Sequence, residues 1–194
     1  SGVLKRVIRS GDDNAPDKAV PTSSVTNKLF LFFEDKMFCY QQANRHKGDK
    51  MLTESPVDLI LDLKDGSVTP SPLCYPSEQV IHPDKIEKFG LVAHSSRCLV
   101  GDKIVYSFWY GHDLHVFDIK TGKITKKTAK SRYLPDEQAL SPYNRFNSDA
   151  TDGGLKEICE MPFYRYIYYD QYRKVYYRIA FPTANCELES KLYG

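Results

Sequence analysis

Two nine-residue stretches of this chain match position for position at an offset of 118 − 62 = 56 residues. They are Ile60-Leu61-Asp62-Leu63-Lys64-Asp65-Gly66-Ser67-Val68 and Val116-Phe117-Asp118-Ile119-Lys120-Thr121-Gly122-Lys123-Ile124. In each, an apolar run ends in Asp, passes a polar turn holding one Gly, and resumes, which is the pattern of a β-hairpin. A further hairpin precedes each copy. Leu29 to Phe33 and Met37 to Tyr40 flank Glu34-Asp35-Lys36; Cys98 to Val100 and Ile104 to Tyr110 flank Gly101-Asp102-Lys103. Gly66 and Gly122 are expected at positive φ, where only glycine sits without strain.

A third copy opens at the aromatic stretch Phe163 to Phe181, which holds nine aromatic residues in nineteen positions, seven of them tyrosines. Two β-branched, aromatic runs flank the polar break Asp170-Gln171-Tyr172-Arg173-Lys174, so an antiparallel hairpin is predicted. Lys174 follows Lys103 by 174 − 103 = 71 residues. Strand alternation puts Val175, Tyr177, Ile179 and Phe181 on one face and Tyr176, Arg178 and Ala180 on the other. The first set is the more apolar and is expected to be the buried one.

Repeated meanders at this spacing predict an all-β chain: a β-propeller-like array of about three four-stranded antiparallel blades. A two-sheet β-sandwich is the alternative. Three blades fall short of a closed ring, so a partial propeller that exposes sheet faces and self-associates is expected. Residues 1 to 26 read as a flexible, polar leader with no apolar signal region, and residues 27 to 194 as the partial propeller domain. Helical pattern is confined to short turns at Pro83 to Lys88 and Leu155 to Met161.

The charge balance, 27 Lys and Arg against 25 Asp and Glu, gives no case for nucleic acid as a partner. The longest apolar runs are too short to cross a bilayer. The five cysteines, Cys39, Cys74, Cys98, Cys159 and Cys186, form no CxxC and read as small buried hydrophobes. His112 and His115 lie three apart, on opposite faces of a strand or in a turn around Gly111 to Asp113, so they do not converge on a metal. The run Asp149 to Glu160 has the length of a calcium loop, but Gly153 stands where a ligand should be, and a Gly-Gly turn is the plainer reading. No nucleophile elbow, phosphate loop or dinucleotide fingerprint is present. The expectations are therefore no catalytic residues, no metal and no cofactor.

Cations and aromatics meet in two places. One is Lys130-Ser131-Arg132-Tyr133; the other is the third hairpin, where Arg165, Arg173, Lys174 and Arg178 interleave with tyrosines. Planar guanidinium forks beside stacking rings suit an anion or a sugar. Lys130, Arg132, Tyr166 and Arg178 are the candidate ligand-binding residues. The competing reading fills the inter-sheet core with the tyrosines and sends the cations to water.

Several of these strings resemble one family: Gly101 to Phe108, Val116 to Ile124, Lys130 to Tyr133, and Tyr168 to Ile179. It is an uncharacterised six-bladed β-propeller family, a domain of unknown function, from Bacteroides-type bacteria. The resemblance spans about residues 28 to 182. It implies a longer protein, often carried as a lipoprotein, and localisation in the cell envelope, in the periplasm or lipid-anchored at the outer membrane. The expected function is a non-enzymatic ligand-binding or protein-interaction module with a protein or glycan partner. The alternative is a propeller-type hydrolase or lyase acting on a carbohydrate or lactone with a divalent metal.

Overall fold

The computed structural model describes residues 30–40, 54, 56–76, 95–134 and 162–182. Every element among them is a strand, and the strands form three antiparallel sheets of four, four and two. The first sheet is the meander β1 (Leu31–Phe33), β2 (Lys36–Tyr40), β3 (Asp58–Asp62) and β4 (Val68–Pro70). The second is β5 (Ser95–Val100), β6 (Lys103–Phe108), β7 (Asp113–Asp118) and β8 (Ile124–Thr128). The third is the aromatic hairpin, β9 (Phe163–Asp170) and β10 (Val175–Phe181). The all-β expectation holds, with two strands rather than four in the third sheet as described. Among the described residues no helix is long and apolar enough to cross a membrane. The leader, the acidic run at 149–160, both helical turns, Cys159 and Cys186 lie outside the described residues.

The two sequence copies fold alike down to single hydrogen bonds. The Gly66 N–H donates to the Asp62 carbonyl at 2.8 Å, and Gly122 donates to Asp118 at 2.9 Å. The backbone N–H groups of Asp62 and Asp118 donate to Ser67 and Lys123, each at 2.9 Å. Both turns are tied to the preceding hairpin, Leu63 to the Asp35 carbonyl at 2.7 Å and Ile119 to that of Asp102 at 2.9 Å. As expected, φ is positive at Gly66 (79°) and Gly122 (71°). At the β1–β2 turn Glu34 takes φ 51°, where Gly101 takes 59° at the matching β5–β6 turn.

The second sheet lies between the other two. One face carries Ile104, Tyr106, Phe108 and Phe117 into a core shared with Phe38, Tyr40, Val57, Leu73 and Tyr75. The opposite face offers Val105 and Leu114, with Cys98 and Val116, to Ile167 of the third sheet. Period-two alternation makes this possible, since β6 buries residues of both parities and so has no solvent side. Of the cysteines described, Cys39 is buried and Cys74 and Cys98 are half-buried, all three as free thiols. Burial pushes Cys98 up to about 11, which keeps its sulfur protonated and unreactive.

The expected burial of the third hairpin is reversed. Val175, Tyr177, Ile179 and Phe181 are exposed, as is Tyr176, and Arg178 and Ala180 alone in β10 are half-buried. The cause is Arg178, whose guanidinium finds partners in the second sheet that outweigh the apolar face's preference for burial. The register also shifts between Arg178 and Ala180, a bulge that changes which β9 residues face inward.

Candidate functional site

Antiparallel pairing puts the β6–β7 turn and the end of β8 at one end of the second sheet, where Phe108, Asp113 and Thr128 sit. The third sheet meets that end through Phe163 and Tyr164, with the Tyr164 N–H donating to the Trp109 carbonyl at 2.9 Å. Gly111, at φ 91°, gives the turn its left-handed step.

Arg178 is the hub. Its Nε donates to Ser107 Oγ at 2.7 Å. Nη1 donates to the carbonyls of His112 and Ala129 at 2.9 and 3.2 Å, and Nη2 to those of Phe108 and Gly111 at 3.2 and 3.0 Å. A guanidinium has five N–H donors, and all are used. The group also lies over the Tyr164 ring, 3.3 Å from its centroid. Burial pushes Arg178 down to about 10, with Tyr164 and Asp113 acting the other way, so it stays charged at neutral pH. Its task in this geometry is to hold residues 108–112 and Ala129 together. No N–H remains for an anion.

Tyr164 carries the connection outward. Its buried hydroxyl accepts the Ser131 N–H at 2.9 Å and lies 2.9 Å from His112 Nδ1. Ser131 in turn receives the Tyr133 N–H on its Oγ at 3.2 Å, and Leu134 closes the segment with a buried side chain. The backbone of 129–134 is thereby fixed at both ends, while Lys130, Arg132 and Tyr133 project to solvent. Arg132 donates to the Tyr133 hydroxyl, and its Cζ lies 4.7 Å from that ring's centroid.

From the β6–β7 turn runs a ladder of rings: Trp109 and Phe163 at 4.8 Å, then Phe163 and Phe181 stacked at 5.1 Å with 7° between planes. Arg165 lies over Phe181 at 5.8 Å and over Tyr166 at 5.2 Å. Of the four sequence candidates, Lys130, Arg132 and Arg178 are brought to one end of the sheets, and Arg178 is the fastening. Tyr166 joins Arg165 and Tyr168 instead. The sequence reading missed Trp109, Phe163 and Phe181 as a ladder. Phe163 and Phe181 pair across the hairpin only because of the bulge between Arg178 and Ala180, and a register drawn from the turn would have put Tyr164 opposite Phe181 instead.

His112 and His115 diverge as expected: His112 faces Tyr164 of the third sheet, whereas His115 is buried against Phe108. Among the described residues no three of His, Cys, Asp and Glu converge on a point that would hold a metal ion.

A family model described as a domain of unknown function (DUF4221) matches residues 2–192. The crystal structure of a DUF4221 member from Bacteroides vulgatus is similar at a TM-score of 0.56 and 24% identity, over 79% of this chain and 41% of its own. The chain thus spans about two fifths of that relative's length. No curated protein matches the chain.

Proposed function

The chain belongs to the DUF4221 family, and from that premise we propose that it is a non-enzymatic binding module of a bacterial cell envelope, part of a β-propeller, whose ligand is an anionic glycan. The array reading draws support from the second sheet, which is covered on both faces, where a two-sheet sandwich has one interface. The envelope assignment rests on the resemblance to lipid-anchored Bacteroides proteins, and cell fractionation of the longer protein tests it.

One observation carries the ligand reading. Arg132 and Tyr133 are exposed, Tyr133 by 64%, yet the backbone bearing them is pinned by Tyr164 and Arg178. A cation and a ring held out to water on a fixed backbone pay little ordering cost on binding. The guanidinium recognises a carboxylate or sulfate, and the exposed Tyr133 ring beside it offers a flat apolar face to a sugar. Titration with uronic-acid oligosaccharides against neutral ones of equal length tests this. Arg132→Leu should weaken acidic-sugar binding about tenfold, the loss of one charge-assisted contact, with melting unchanged. Equal affinity for both sugar classes, or an Arg132→Leu protein that binds as the parent does, overturns it.

A further inference from the structure

Residues 120–132 hold six cations, Lys120, Lys123, Lys126, Lys127, Lys130 and Arg132, and no carboxylate, in a chain whose net charge is +2. The fold lays this run along β8, the outer strand of the second sheet, and Thr125 to Thr128 are all exposed. We propose that β8 is a docking edge for an extended acidic segment of a partner protein, which adds to the sheet as a fifth strand.

The backbone makes the first half of the case. Outer strands are usually blunted against pairing by shortness, proline, a bulge or charged side chains, lysine above all. The outer strand of the first sheet follows that rule, since β4 has three residues and ends in Pro70. On β8, which has five residues, no proline and an uninterrupted register with β7 from Ile124 to Thr128, the blunting falls to the lysines, which repel a basic strand and attract an acidic one. Among the described residues it pairs with β7 alone, and none of them meets its second row of N–H and C=O groups.

The charges make the second half. Lys126 stands opposite His115, on the face turned to the first sheet, and Lys127 opposite Leu114, on the face turned to the third. An added strand with acidic side chains of both parities would meet one ammonium on each side, and such opposite-charge cross-strand pairs are favourable. The neighbouring carboxylates are already engaged: Asp118 by Lys103, Asp102 by Lys103 and Lys120, and Asp113 by the Thr128 hydroxyl. Lys123, Lys126 and Lys127 make no ion pair among the described residues. The same lysines repel a second copy of β8, so the edge refuses its own kind and accepts its complement. A nucleic acid or polyanionic glycan would use the charge and leave the backbone row unmet. A peptide strand uses both.

The test titrates the full chain with two synthetic peptides of about nine residues, enough to span β8. Both carry the same glutamates among valine and threonine; one has proline at alternate positions, which blocks strand addition but not attraction. The first should bind, slow amide exchange across Thr125 to Thr128, and bind at least about tenfold more weakly to Lys126→Glu/Lys127→Glu, as expected when an interfacial charge pair becomes a repulsion. That variant should melt like the parent, because both side chains are exposed. Equal binding of the proline peptide, binding without amide protection, absence of binding, or a single-stranded oligonucleotide bound as tightly through the same lysines would each overturn the proposal.

Discussion

Arg97 and Arg178 hold successive interfaces by the same means, a guanidinium from one sheet driven into the polar groups of the sheet before it. Arg97 pairs with Asp58 at 3.2 Å, their side chains 5% and 0% exposed, and donates to the Phe38 carbonyl at 3.2 Å. The Tyr106 hydroxyl donates to the other Asp58 oxygen at 2.7 Å. Removing one partner strands the rest in a dry interior, so Asp58→Ala should cost about 3–5 kcal/mol in equilibrium denaturation. Arg178→Leu would leave four carbonyls and the Ser107 hydroxyl without this donor, and a loss of about 2–3 kcal/mol is expected. Arg132→Leu, on an exposed side chain, should change stability by less than about 0.5 kcal/mol. An Arg178→Leu protein as stable as the parent would refute the fastening role. The sequence marked Arg178 as a cation among tyrosines and a candidate for ligand binding. It could not say that the partners are backbone carbonyls of a distant turn, because carbonyls have no residue identity to read.

The hairpins are the elements that sequence rendered best, because their turn chemistry is local. An Asp four residues before a Gly reproduces the same bonds in both copies, and neither depends on what packs above. Asp118 shows the electrostatic side of that motif. The Thr121 N–H donates to its carboxylate at 2.9 Å, and with the Thr121 hydroxyl and Lys103 this draws its pKa from 3.8 down to about 2. A depressed folded-state value means that the ionised form stabilises the turn fully above about pH 4, and the contribution fades as pH falls from 3.8 toward 2. Carbon-detected titration of the Asp118 carboxyl should show the low value, and Asp118→Asn should remove that part of the acid dependence of stability. A titration midpoint near 4 would contradict it. Which face of the third hairpin is buried was not legible. Alternation supplied two faces, but the choice was made by Ser107 and the carbonyls across the interface.

At the scale of the molecule, the described sheets leave one face uncovered among themselves. The first sheet meets the second, and the second meets the third through Tyr164, Ile167 and Arg178. The outward side of the third sheet then shows Tyr177 at 49%, Val175 at 41%, Ile179 at 39% and Phe181 at 37% exposure. Large apolar side chains contiguous on a sheet face are costly in water and gain by being covered. The same face of a second copy can supply that cover, and the two-fold contact would be self-complementary, each Tyr177 meeting the partner's apolar row. The chain is therefore expected to self-associate in a concentration-dependent way. Ile179→Lys with Tyr177→Glu should render it monomeric by sedimentation equilibrium while leaving its melting unchanged at low concentration, since neither side chain supports the contacts of Arg178. Persistence of the association in that double variant would move the interface elsewhere, and a monomeric parent at high concentration would mean that the open face tolerates water after all.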